Sequence, residues 1–264
     1  MRELSFRVRS LGSTKPVVPA VEELGGWARR HVGTSADLIT WEVEKTIRSQ
    51  MSGIFFPATG GLWYCDRILA AFSNVFQKLI SGEFDLQTTD ISADCAIATE
   101  IQRGCWWAIP SPQALHLTDG YFGDEGVAFE AIADAMERVC RVMRDGGISG
   151  HVLLYDGTSP DTIDLEHFFG KRFLRYVPDT FLENVLEVQR DLILSADAVS
   201  RLADLVDCYV IRKVYVVEPT IKALTEACRL FDPDDVFCAG TAPREHQEIY
   251  WKNLSELRVP VMDI

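Results

Sequence analysis

Two short segments carry residue types that chemistry uses. Ser35 lies in GTSAD, residues 33–37, ahead of an apolar run, and Asp119 is followed by Gly120 in LTDGYFG, residues 117–123. A serine on a tight turn in front of a helix exposes its hydroxyl with the helix N-terminus behind it, as in a nucleophile elbow that attacks a carbonyl. Gly33 supplies the small neighbour such a turn needs on one side, whereas Asp37 stands on the other. The commoner use of Ser35 or Thr34 here is as the N-cap of the following helix. A short apolar strand would deliver Asp119 into its turn with the carboxylate at a sheet edge; the commoner use of such a residue is an Asx turn.

These residues need elements to hold them. Short runs rich in β-branched or aromatic residues predict strands at 4–8, 53–56, 86–91, 151–155, 214–217, 236–238 and 259–262. Helical spacing of apolar residues predicts helices at 62–80, 127–143, 181–194, 221–231 and 245–257, with stops at Gly82 and at Gly146-Gly147. A further helix with Val17, Val18, Val21 and Leu24 on its apolar face is expected to break at Gly25-Gly26. Continuous rather than alternating hydrophobicity marks strands covered on both faces. The expected fold is a single three-layer α/β/α domain over residues 1–264, with a mostly parallel central sheet and ligands near the carboxyl ends of its strands.

Composition narrows the function. The chain has 264 residues, 47% of them apolar, and a net charge of −13, which opposes nucleic-acid binding because phosphate contacts need clustered Lys and Arg. No window approaches the roughly 20 apolar residues of a membrane span, and the N-terminus lacks the apolar core of a signal peptide. A cytoplasmic protein with at most peripheral membrane contact is expected. Seven cysteines without a CxxC pair argue against a disulfide framework or zinc ribbon. His31, His116, His151, His167 and His246 are isolated, so no metal site is predicted from spacing. Cys238, with Glu245 and His246 soon after it, reads as a buried thiol before it reads as a nucleophile. Trp63, Tyr64, Trp106 and Trp107 read as core, although a binding cleft would use the same residues.

Taken in order, the segments resemble the patatin-like phospholipases, which use a Ser in GxSxG and an Asp in a DGG or DGA turn. VVPAVEELGG followed by GTSA is similar to that family's helix and nucleophile turn. LQTTDISAD, RGCWWAIPSP, HVLLYDGTS, FLENVLEVQRDLI and DCYVIR resemble later segments, over roughly residues 15 to 215. The resemblance implies an acyl hydrolase acting on a lipid or other acyl ester. Ser35 would be the nucleophile and Asp119 its base, with Gly12, Gly33 and Gly120 shaping the turns and the oxyanion site, and with no metal or cofactor. Departures from the pattern point to a weakened or inactive site. FRVRSLGSTKP, residues 6–16, holds Gly12 alone where the family has a glycine-rich oxyanion loop, and one lost donor costs roughly 100- to 1000-fold in rate.

Two other readings compete. TTDISADCAIA and VCRVMRDGGISGHVLLY resemble the ribose-binding strand end and a late unit of a Rossmann-like methyltransferase using S-adenosylmethionine, with FPATGG as its only glycine turn. A non-catalytic α/β scaffold or regulatory module would equally tolerate the degraded glycine loop. A dehalogenase-type phosphatase is excluded because its nucleophilic Asp would fall at Leu154. Oligomeric state and partner stay open.

Overall fold

The computed structural model describes residues 3–17, 19–34, 36–51, 53–157, 160, 166–168 and 170–260. Eight parallel strands carry the fold: β1 Arg7–Ser13, β2 Ala58–Gly60, β3 Trp106–Pro110, β4 His151–Leu154, β5 Phe173–Tyr176, β6 Asp191–Ser195, β7 Lys213–Val217 and β8 Val236–Ala242. One sheet runs β6-β7-β8-β1 and the other β2-β3-β4-β5. Two seams join them. Arg9 bridges Phe56, and Ser10 N donates to Phe56 O at 3.0 Å, which ties β1 to the approach of β2; β5 lies against β6 at the other seam.

Side-chain alternation explains why the sheets close on each other. Leu11, Ala108, Val152, Leu174, Ile193, Tyr215 and Phe237 point into one shared interior, with Phe56 packed against them. Their strand neighbours, among them Trp107, Leu153, Leu192, Val216 and Cys238, point outward into a larger core shared with the helices. Both faces of each strand are therefore apolar, which is why HVLL, DLILS and KVYVV read as continuous runs. The α/β class, the parallel strands and the helices flanking them are as the sequence predicts, and the sheets together form an eight-stranded (β/α) barrel.

Among the described residues the α-helices include α1 Val21–Arg30, α2 Leu38–Arg48, α3 Cys65–Ala71, α4 Thr89–Ile101, α5 Glu125–Asp145, α6 Leu182–Leu186, α7 Leu202–Cys208, α8 Ile221–Cys228 and α9 Gln247–Ser255. The longest, α5, starts where the Asp124 side chain accepts from Val127 N at 3.0 Å, buries Ile132, Met136, Val139 and Met143, and stops at Gly146 and Gly147. Asp37 caps α2: its carboxylate accepts from Thr40 N at 3.0 Å, while the Thr40 hydroxyl accepts from Asp37 N at 3.2 Å.

A buried polar network binds α2, α3 and α4. Asp94 on α4, fully buried, accepts from Thr40 Oγ1 at 2.8 Å, Tyr64 OH at 2.9 Å and Arg67 Nε at 2.9 Å. The other edge of the Arg67 guanidinium grips Asp37 with two bonds of 2.9 and 2.7 Å. A clasp of three antiparallel pairs joins Glu3–Ser5 to Arg258–Pro260.

Several sequence-based boundaries shift. Helix α1 runs through Gly25-Gly26 instead of breaking there, with Glu22 and Glu23 in its first turn and Arg29 and Arg30 in its last to complement the helix dipole. The strand expected at 86–91 gives way to the start of α4, and the helix expected over 62–80 ends at Ala71 and passes into short strands at Val75–Phe76 and Leu79–Ile80. The helix expected over 181–194 divides into α6 and β6. No helix of the described residues is long and apolar enough to cross a membrane.

Candidate functional site

In barrels of this kind the loops at the carboxyl ends of the strands build the site. Here those ends gather two tyrosines, two carboxylates and a serine from β5 to β8 and the segments that follow them. Tyr176 is the last residue of β5 and half-buried. Asp179, in the next loop, accepts from Ser195 N at 3.1 Å and from Ser195 Oγ at 2.5 Å at the end of β6. Glu218 follows β7 directly, and Tyr250 reaches over from α9 to donate its hydroxyl to Glu218 Oε1.

Two backbone features make that last contact possible. Glu218 adopts φ +47°, a left-handed conformation that costs a non-glycine residue roughly 1–2 kcal/mol. Its N–H still donates to Ala239 O at 3.0 Å, so the strained residue is fixed to β8 and its carboxylate is aimed at α9. On β8, Gly240 leaves room for the tyrosine: a Cβ there would lie 1.9 Å from the Tyr250 hydroxyl. The register of β8 with β1 also shifts between Gly240 and Ala242, an irregularity of a kind that re-aims side chains near active sites.

The electrostatics of this cluster are one-sided. Burial, then the adjoining carboxylates Asp179 and Glu218, push the Tyr176 phenol up. Burial and the bond to Glu218 push Tyr250 far above the ordinary phenol range, with Tyr176 adding to the effect. Among the described residues neither Asp179 nor Glu218 has a Lys or Arg in ion-pair contact with its carboxylate. Arg201 donates to the Asp179 backbone carbonyl and pairs with Glu183.

A second pair stands beside the first. His116, in the loop after β3 and also left-handed at φ +52°, places Nε2 on Asp156, which follows β4. Since Tyr155 N donates to Tyr176 O at 3.2 Å, the Asp156 loop adjoins the end of β5. An imidazole on a carboxylate and a phenol on a carboxylate are both arrangements that hold or pass a proton. No group of three or more His, Cys, Asp or Glu able to hold a metal ion occurs among the described residues.

Of the residues singled out by sequence, Ser35 lies outside the described residues. Asp119 is in the two-residue strand Thr118–Asp119, paired with Leu79–Ile80 in a small sheet separate from the barrel sheets. Its oxygens accept from Tyr121 N at 2.9 Å, Phe122 N at 2.8 Å and Gly123 N at 2.7 Å, and these three bonds hold its carboxyl below the usual range. That is the Asx-type turn, and a carboxylate so occupied is a weak base. Gly12, on β1, gives its N–H to Ser10 Oγ at 3.1 Å, and Gly120 gives its own to Ile80 O at 3.1 Å. Gly33 sits at φ +84° in the turn after α1. Cys238 is fully buried, and burial pushes its thiol up to about 12, the behaviour of an inert core thiol.

Reading the sequence missed Tyr176, Asp179, Glu218 and Tyr250. A signal for Glu218 was present: VYVV followed at once by Glu-Pro is a fully apolar strand delivering a carboxylate at its end.

No family model matches the sequence, and no curated protein matches it. Solved structures do resemble the fold. A putative vitamin-B12-independent methionine synthase from Listeria monocytogenes superposes with TM-score 0.60 at 13% identity, covering 94% of this chain and 96% of its own. A B12-independent methionine synthase from Shewanella sp. W3-18-1, solved in complex with selenomethionine, superposes with TM-score 0.60 at 11% identity, covering 96% of each chain. These likenesses overturn the resemblance to patatin-like phospholipases, and with it the lipid acyl hydrolase. The Rossmann-like methyltransferase falls too, because eight parallel strands around one interior leave no open sheet with a crevice where the strand order reverses. At such low identity the likeness establishes the barrel fold.

Proposed function

We propose that the chain is a barrel enzyme acting on a small amine-bearing metabolite, such as an amino acid, held at the carboxyl ends of β5 to β8. The observation that carries this reading is the cluster of Asp179, Glu218, Tyr176 and Tyr250, in which neither carboxylate has a Lys or Arg partner among the described residues. A ligand ammonium supplies the missing positive charge, and a charge-assisted hydrogen bond to a carboxylate in a partly buried site is among the stronger polar contacts. Tyr250 on Glu218, with His116 on Asp156 nearby, then provides for moving a proton on or off the bound molecule. The Shewanella synthase of similar fold was solved with an amino acid, selenomethionine, which fits the same ligand class.

Thermal unfolding with a panel of amino acids and their deaminated analogues tests this reading. A ligand at 100 times its Kd stabilises the native state by about 2.7 kcal/mol, a rise of roughly 5–10 °C for a chain of this size. Amines are expected to raise Tm, their carboxylate-only analogues are not, and Glu218→Gln is expected to remove the rise. A panel in which amines and deaminated analogues behave alike would overturn the proposal.

A further inference from the structure

The opposite end of the barrel carries the reverse charge. Arg7 and Arg9 on β1, Lys171 before β5, Arg190 before β6, and Arg212 and Lys213 at the start of β7 all stand at strand beginnings. Three of these cations rest on rings. Arg7 lies 4.6 Å from the Phe237 centroid, and Lys213 lies 5.6 Å from the same ring. Arg9 lies 4.2, 4.3 and 5.1 Å from Phe56, Trp106 and Tyr215. Ring faces favour the positive charge but accept no in-plane N–H bond. Arg9 is only 2% exposed, yet its Nε and Nη1 have no hydrogen-bond partner among the described residues.

Just outside lies a cleft of about 350 Å³ whose charged lining is Lys171, Arg175, Arg190, Arg212 and a single carboxylate, Asp191. Arg212 already engages that carboxylate, at 3.0 Å from Nε and 2.9 Å from Nη2. Leu174, which lines the cleft, packs in the same interior cluster as Tyr215, the ring on which the buried Arg9 guanidinium rests. The acidic turn Asp232, Asp234 and Asp235 before β8 touches Arg7 through the Asp234 carbonyl and lines none of the cleft. Arg175 is buried and already engaged, donating to Phe168 O at 2.7 Å; among the other described lining residues three cations, Lys171, Arg190 and Arg212, stand against one carboxylate, which stands out in a chain of net charge −13.

We propose that this cleft binds a multiply charged oxyanion, the phosphate or pyrophosphate group of a small metabolite, at the amino end of the barrel and separately from the mouth. Arg190 and Arg212 supply planar donors and Lys171 a point charge, the combination that recognises phosphate oxygens. Arg9 adds a buried positive charge that bulk counterions screen poorly.

Inorganic pyrophosphate, titrated calorimetrically into the whole chain with sodium chloride holding ionic strength constant, is the probe. Saturable 1:1 binding is expected, weakened at least tenfold in the Lys171→Ala/Arg190→Ala double variant. Both side chains are exposed, so that variant should fold. Arg138→Ala, an exposed cation on α5, should bind as wild type. Glu218→Gln should also bind pyrophosphate as wild type, which separates this site from the mouth. Absence of saturable binding, binding unchanged in the double variant, or an equal loss in Arg138→Ala would each overturn the proposal.

Discussion

At the scale of single residues, the most consequential feature is a glutamate in a backbone conformation that glycine prefers. Glu218→Gly relieves the left-handed strain and loses the bond from Tyr250, two effects of similar size and opposite sign. Urea denaturation should therefore place Glu218→Gly within about 1 kcal/mol of wild type, while amine binding is lost. A much larger loss of stability would show Glu218 to be a structural residue. His151 gives a second prediction. It is fully buried, its Nε2 lies 3.2 Å from Cys140 O, its ring stacks on Phe173, and burial, helped by Arg144, depresses its pKa to about 3. The folded state holds this imidazole neutral while the unfolded chain protonates it below its ordinary value near 6.5. Its contribution is therefore complete above pH 6.5 and is lost as pH falls toward 3, at up to about 1.4 kcal/mol per unit. The difference in stability between wild type and His151→Gln, followed from pH 7 to pH 4, should shrink with acidification; a constant difference would rule the linkage out.

At the scale of elements, the polar network of α2, α3 and α4 and the tight contacts of β1 to β3 invite direct tests. Arg67→Met leaves Asp94 buried without its counter-charge, and breaking a buried pair from one side typically costs about 3–5 kcal/mol. Denaturant midpoints should fall accordingly. Gly60, at φ +81°, would place a Cβ 2.3 Å from Ala108 O, so Gly60→Ala is expected to cost about 2–4 kcal/mol through backbone strain and overpacking. The sequence announced some of these elements clearly. Helices α5, α8 and α9 and strands β4, β7 and β8 were legible because their apolar residues recur at one period over a sufficient length. Strands β2, β3, β5 and β6 were not predicted: the strand expected at 53–56 forms instead just beyond it, in the short small-residue run ATG, WWAIP is aromatic with a terminal proline, FLRY carries the buried Arg175, and DLILS follows α6 so closely that the two read as one helix. The site was barely legible. Tyr176, Asp179, Glu218 and Tyr250 are separated by up to 74 positions in the chain and meet only because the barrel closes, whereas the local turns around Ser35 and Asp119 advertised themselves with short patterns that ordinary caps and turns share.

At the scale of the whole molecule, the barrel separates charge along its axis, with Asp179 and Glu218, neither ion-paired to a Lys or Arg among the described residues, at the mouth, and with cations outnumbering carboxylates in the cleft at the other end. Two ligands of opposite charge bound at the two ends would share the apolar interior between them, and mutational effects at one end are expected to leave affinity at the other unchanged. Closure of the fold also depends on the clasp of Glu3–Ser5 with Arg258–Pro260. Because Glu3 faces Pro260 and Ser5 faces Arg258, the outward-leading ends of the two segments leave the pair on the same side. Tension applied between those ends opens the three pairs one after another, like a zip, instead of shearing them together. In a single-molecule pulling experiment with handles at residues 3 and 260, the first extension should therefore come at low force, and the parallel seam of β1 with β8 should bear the load next.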